Sequence, residues 1–136
     1  MTIPFSLEAR VESGKGLGRL LGAPTVNLRL PENIAPPEYG VYAVRALVGG
    51  REYPAVADIG VRPTVENEGR AACEVHIFDF SGDLYGEKVK IIFEKYLRPE
   101  KRFESREELR SAIELDVKRA REYFAGTVRR NNGNEE

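Results

Sequence analysis

Two strand-like runs, Tyr39 to Val48 and Arg51 to Ile59, are separated only by Gly49-Gly50. A two-residue glycine turn between alternating runs is a strong hairpin signal, because both turn positions need a positive φ that glycine adopts without steric cost. The centre of the chain is thereby committed to antiparallel pairing. Phe5 to Glu12 alternates strictly, with Phe5, Leu7, Ala9 and Val11 against Ser6, Glu8, Arg10 and Glu12. That is the two-residue period of a half-buried strand. Ala72 to Phe80 and Lys88 to Tyr96 repeat the pattern, linked by Ser81-Gly82-Asp83 and Gly86. The count of about five or six antiparallel strands suits a small barrel.

After Arg98-Pro99 the period changes. Ser105 and Glu108 have capping-box spacing, and Leu109, Ala112, Ile113, Val117, Ala120 and Phe124 then recur at helical intervals. One amphipathic helix ending near Gly126 is predicted, packed against the barrel. The segment from Arg129 to Glu136 offers no apolar anchor and reads as a disordered tail, so a single domain over residues 1–128 is expected.

The chain has 136 residues, one ordinary domain, and its 21 basic and 22 acidic side chains nearly cancel. No global field draws it to nucleic acid or an anionic membrane. One cysteine makes neither a disulfide nor a zinc cluster, so Cys73 reads as a small buried side chain and any metal is expected on oxygen ligands. The amino terminus lacks the order of a signal peptide and no apolar run reaches membrane-span length. A cytoplasmic protein acting as a monomer is expected.

The most informative stretch is Gly14-Lys15-Gly16-Leu17-Gly18-Arg19-Leu20-Leu21-Gly22-Ala23-Pro24-Thr25-Val26-Asn27-Leu28. It lacks the Gly-Lys-Ser/Thr ending of a Walker loop and the partner motifs of protein kinases. It still holds what phosphoryl transfer needs: glycine N–H groups for phosphate oxygens and hard oxygen ligands for Mg²⁺. Thr25 and Asn27 are two apart, so an extended backbone puts both on one side, where they can share a metal. Isolated glycine patterns are more often ordinary surface turns.

Leu21-Gly22-Ala23-Pro24-Thr25-Val26-Asn27-Leu28 resembles the Pro-Thr-Ala-Asn signature of the riboflavin kinase family. Further family-like segments follow in order: Gly40-Val41-Tyr42-Ala43, Asp58-Ile59-Gly60-Val61-Arg62-Pro63-Thr64, Glu74-Val75-His76-Ile77-Phe78-Asp79-Phe80, Asp83-Leu84-Tyr85-Gly86 and Leu97-Arg98-Pro99-Glu100-Lys101-Arg102-Phe103. The similarity runs from Ser6 to Tyr123. It implies a six-stranded antiparallel Greek-key barrel with a carboxy-terminal helix, and transfer of the ATP γ-phosphate to the ribityl 5′-hydroxyl of riboflavin, giving FMN and ADP. Val26 replaces the usual alanine and Ala23 a large apolar residue; neither change removes a ligand oxygen. Many bacterial relatives carry the module behind an FMN adenylyltransferase domain, so the chain is expected to be a stand-alone kinase or one module of such an enzyme.

The resemblance implies Glu74 as general base, Mg²⁺ on Thr25 and Asn27, and nucleotide contacts from Gly14, Lys15, Gly16, Gly18, Gly22, Pro24 and Thr25. It implies a flavin site at Leu97, Arg98, Glu100 and Phe103, with ATP as co-substrate. The strand period independently sets Glu74 and His76 on the face opposite Val75 and Ile77. His76, the single histidine, is the rival base because its ordinary pKa lies near neutrality. Leu97 and Phe103 read equally well as core residues covering a barrel end. Two other readings are a barrel that holds flavin or nucleotide without transfer, and a single-strand nucleic-acid binder. The latter needs a basic groove interleaved with aromatic side chains, and this chain has balanced charge and no tryptophan.

Overall fold

The structure is a computed structural model that describes residues 5–12, 25–30, 38–61, 71–80 and 83–134. Six strands are formed among them: β1 (Phe5–Arg10), β2 (Thr25–Arg29), β3 (Gly40–Val48), β4 (Arg51–Val61), β5 (Ala71–Ile77) and β6 (Lys88–Arg98). A single helix, α1 (Arg106–Asn134), follows. All pairings are antiparallel, in the order β1-β6-β3-β4-β5-β2. β3, β4 and β5 form a meander and β6 returns beside β3, which is the Greek-key order. A bridge from Glu12 to Asn27, with the Glu12 N–H donating to the Asn27 carbonyl at 2.8 Å, joins the two outer strands. The barrel is nearly closed, and few backbone groups are left at an open edge.

The Gly49-Gly50 turn has φ of 57° and 82° and connects Val48 to its partner Arg51, as the hairpin signal requires. Gly40, with φ of 149°, fills another need. A Cβ there would lie 2.4 Å from the Arg98 carbonyl oxygen, so only glycine lets β3 start this close to the end of β6. β6 carries two bulges against β3, which set Tyr96 opposite Tyr42 and Arg98 opposite Val41.

Inward positions of every strand fill the barrel. Leu7, Leu28, Val44, Ile59, Val75, Ile91 and Phe93 are at most 1% exposed. Phe93 meets the edges of Phe5 and Tyr42 with ring centroids 5.2 Å apart. Burying one such side chain contributes about 2–3 kcal/mol. The outer face of β3 and β4 is not solvated: Val41, Ala43, Val56 and Phe78 form a second cluster closed by Ala120 and Phe124 of α1. The helix therefore covers one outer face of the barrel.

α1 starts where the capping pattern placed it. The Glu108 N–H donates to the Ser105 hydroxyl oxygen at 3.1 Å, and the Glu108 carboxylate accepts the Glu104 N–H at 3.1 Å. Its end differs from the expectation, because the helix runs through Gly126 to Asn134. Nothing lies within 4 Å of where a Gly126 Cβ would stand, and a glycine inside a helix costs only about 1 kcal/mol, too little to stop it. Residues 129–134, expected in a disordered tail, have helical backbone, and residues 135–136 lie outside the described residues.

Candidate active site on the helix-covered face

β5 places Val75 and Ile77 in the barrel core and turns Glu74 outward, as its alternation predicts. Glu74 stands opposite Asn27 of β2 on one side and opposite Asp58 of β4 on the other. Directly opposed residues share a face, with Cβ atoms about 5 Å apart. Thr25 is opposite His76 in the same ladder. The strand pairing thus brings together Thr25, Asn27 and Glu74, separated by almost fifty positions of sequence.

A cavity of about 210 Å³ opens between this face and the start of α1. Glu74 and Asp58 line its strand side, Arg98, Glu100, Lys101 and Phe103 its rim, and Leu109, Ile113 and Asp116 its helix side. Val41 and Val56 supply apolar floor. Such a mix, apolar walls with a few convergent polar groups, is the make-up of a small-molecule site.

Arg98 is held rather than loose. Its Nε and Nη2 donate to the two carboxylate oxygens of Asp116, each at 2.8 Å, and its Nη1 donates to the Pro99 carbonyl at 3.1 Å. This fork ties the end of β6 to the helix. The Asp116 hydrogen bond, more than the attraction of Asp58 and Glu100, raises the Arg98 pKa against the opposing effect of burial, so the guanidinium stays charged. The guanidinium also lies 5.7 Å from the centre of the Phe103 ring, which Lys101 approaches equally.

Of the expected flavin residues, Arg98, Glu100 and Phe103 reach this cavity. Leu97 packs with the helix-facing cluster instead, in keeping with its reading as a core residue. His76 is 7% exposed, meets the Phe78 ring edge at 5.8 Å, and is not among the cavity-lining side chains that include Glu74. Gly14, Lys15, Gly16, Gly18, Gly22 and Pro24 lie outside the described residues.

Two acidic residues of the cavity, Asp58 and Asp116, had no role assigned from the sequence. Each left a signal. Asp58 is a lone charge in the apolar run Ala55 to Ile59, and Asp116 falls on the helix stripe shared by Ile113, Ala120 and Phe124. Charges on otherwise buried faces are there for a partner or a ligand.

Fold and site together define a small Greek-key barrel with a cavity of small-molecule make-up on its helix-covered outer face. The chain belongs to the riboflavin kinase family: residues 1–124 match the model for Flavokinase: Riboflavin kinase. It is 45% identical over 127 residues to the bifunctional riboflavin kinase/FMN adenylyltransferase of Pseudomonas fluorescens, covering 93% of this chain and 40% of that protein. Identity to the Escherichia coli K12 protein of the same description is 43% over 125 residues, 91% of this chain and 39% of that one. The chain thus spans well under half the length of these curated relatives. Among solved structures, riboflavin kinase from Trypanosoma brucei superposes with a TM-score of 0.62 at 27% identity, over 92% of this chain and 79% of that one.

Proposed function

We propose that this chain is an ATP:riboflavin 5′-phosphotransferase. The observation that carries the reading is the register Asn27–Glu74 at the edge of a cavity that runs to Arg98 and Phe103. Glu74 is the general base: its carboxylate accepts the proton of the ribityl 5′-hydroxyl as that oxygen attacks the γ-phosphorus. The bond between the γ-phosphorus and its bridging oxygen breaks, and ADP leaves. His76 is buried away from the cavity and supports the site structurally.

Thr25 and Asn27 are the proposed ligands of Mg²⁺. The donor set fits: Asn27 offers a hard oxygen on the strand beside Glu74, and a nucleotide-bound Mg²⁺ needs only one or two protein ligands because phosphates and water fill the rest. Bound there, Mg²⁺ supplies charge neutralisation on the triphosphate. Gly14, Lys15, Gly16, Gly18, Gly22, Pro24 and Thr25 are proposed to hold the nucleotide, and Arg98, Glu100 and Phe103 to enclose the flavin with Leu97 packed behind them.

The segment from Pro99 to Ser105, anchored by Arg98 and the helix cap, contributes Glu100, Lys101 and Phe103 to the cavity and walls its Arg98 end from water. The enzyme is proposed to act as a monomer. Among the described residues no helix is long and apolar enough to cross a membrane. Incubating the protein with riboflavin, ATP and Mg²⁺ and separating flavins by chromatography tests the proposal. FMN formation that requires both ATP and the metal supports it; flavin binding without FMN would leave only a non-catalytic binding barrel.

A further inference from the structure

Five residues stand in one register line across five strands. Asn27 is opposite Glu74, Glu74 opposite Asp58, Asp58 opposite Val41, and Val41 opposite Arg98. Opposed residues share a face, and Glu74, Asp58, Val41 and Arg98 of this line all border the cavity. The chemistry of the line changes in order: an amide, two carboxylates, an isopropyl group and a guanidinium.

We infer that Asp58 accepts hydrogen bonds from the secondary hydroxyls of the ribityl chain and thereby aims the terminal hydroxyl at Glu74. The inference rests on the phosphotransferase reading, which puts the reacting hydroxyl at Glu74 and the ring system toward Arg98 and Phe103. Neighbouring strands lie about 4.8 Å apart, so Glu74 and Arg98 are separated by roughly 14 Å. A five-carbon polyol starting at Glu74 passes over Asp58 and ends well short of Arg98. Its ring system then rests on Val41 and Val56, beside Phe103, where an apolar surface is offered.

Asp58 suits the middle of that path. It is half-buried, lines the same cavity as Glu74, and is the charge that interrupts the run Ala55 to Ile59. Two carboxylates set directly opposite each other weaken a sheet, and such local conflicts are characteristic of functional sites. An ionised carboxylate has two acceptor oxygens and no donor, which matches a pair of adjacent hydroxyls.

Steady-state kinetics of the wild type, Asp58→Ala and Asp58→Asn with two flavins test this. One is riboflavin; the other carries an unbranched 5-hydroxypentyl chain, which keeps the terminal hydroxyl and lacks the secondary ones. The wild type should prefer riboflavin, and Asp58→Ala should lose about tenfold or more in kcat/KM on riboflavin while changing less than about twofold on the analogue, as expected when a charged hydrogen-bond partner is removed. The KM for ATP should hold. Asp58→Asn keeps the shape and one acceptor, so a smaller loss of preference, several-fold, reads the same effect without depending on the alanine variant's folding. Equal losses on both flavins, or an unchanged preference in both variants, overturn the inference. A wild type that phosphorylates neither flavin overturns the phosphotransferase reading itself.

Discussion

Glu74 is flanked in the sheet by Asn27 on one side and Asp58 on the other, and that setting decides what its carboxylate can reach. Replacing it with glutamine keeps the shape and removes the proposed base. Glu74→Gln should lower kcat by about 10²–10⁴-fold while the KM values for riboflavin and ATP change little, read in the FMN assay. Retention of most of the turnover would reassign the base. A second residue-scale prediction concerns Tyr42, whose ring is 2% exposed and whose hydroxyl donates to the Glu38 carbonyl. Burial first, then the fields of Tyr96 and Glu38, push its pKa from 10.0 up to about 12. Below pH 10 the folded and unfolded chains both hold this proton, and its contribution is whole. Between pH 10 and 12 only the unfolded chain releases it, so stability falls by up to about 2–3 kcal/mol as pH rises through that window. Tyr42→Phe should cost about 1 kcal/mol at pH 7 and narrow the alkaline loss, in denaturation midpoints measured from pH 8 to 12. An alkaline loss identical to that of the wild type would show that Tyr42 is not its source.

At the scale of elements, helix and barrel are joined at both ends of their contact. Toward the start of the helix the fork from Arg98 to Asp116 is almost dry, with side-chain exposures of 19% and 4%. Asp116→Ala leaves the guanidinium without its carboxylate partner and should cost about 3–5 kcal/mol, whereas Arg98→Met with Asp116→Leu should recover most of that in urea unfolding. Further along, Arg45 donates to Glu94 at 2.5 Å and lies over the Phe124 ring at 5.1 Å, while the Tyr123 hydroxyl donates to Glu94 at 2.9 Å. The start of the helix was legible because a cap is local chemistry, Ser105 and Glu108 acting within one turn. Its end was not legible: Gly126 resembles a stop signal, yet a solvent-facing helical glycine breaks nothing. Gly126→Ala should therefore raise stability by about 0.5–1 kcal/mol in the same unfolding experiment, and a loss would mean that the position needs glycine.

For the whole molecule, a single barrel with one covered face makes binding and folding interdependent. A ligand that binds only the folded state at one hundred times its Kd adds about 2.7 kcal/mol. Riboflavin with ADP and Mg²⁺ should therefore raise the Tm by several degrees, with ADP and Mg²⁺ giving part of the shift alone; an unmoved Tm would deny the site. By itself the sequence determined the local facts of this protein: antiparallel strands, the Gly49-Gly50 turn, the side of β5 on which Glu74 lies, and the residue types suited to phosphoryl transfer. These follow from periods of two and 3.6 residues and from φ preferences, which act over a few positions. Only the tertiary structure decided that Asn27, Glu74, Asp58, Val41 and Arg98 form one line, that Asp116 holds Arg98, and that Leu97 packs under the helix. Strand order, register and bulges arise from pairing between distant segments, and no local pattern specifies which distant residue will stand opposite.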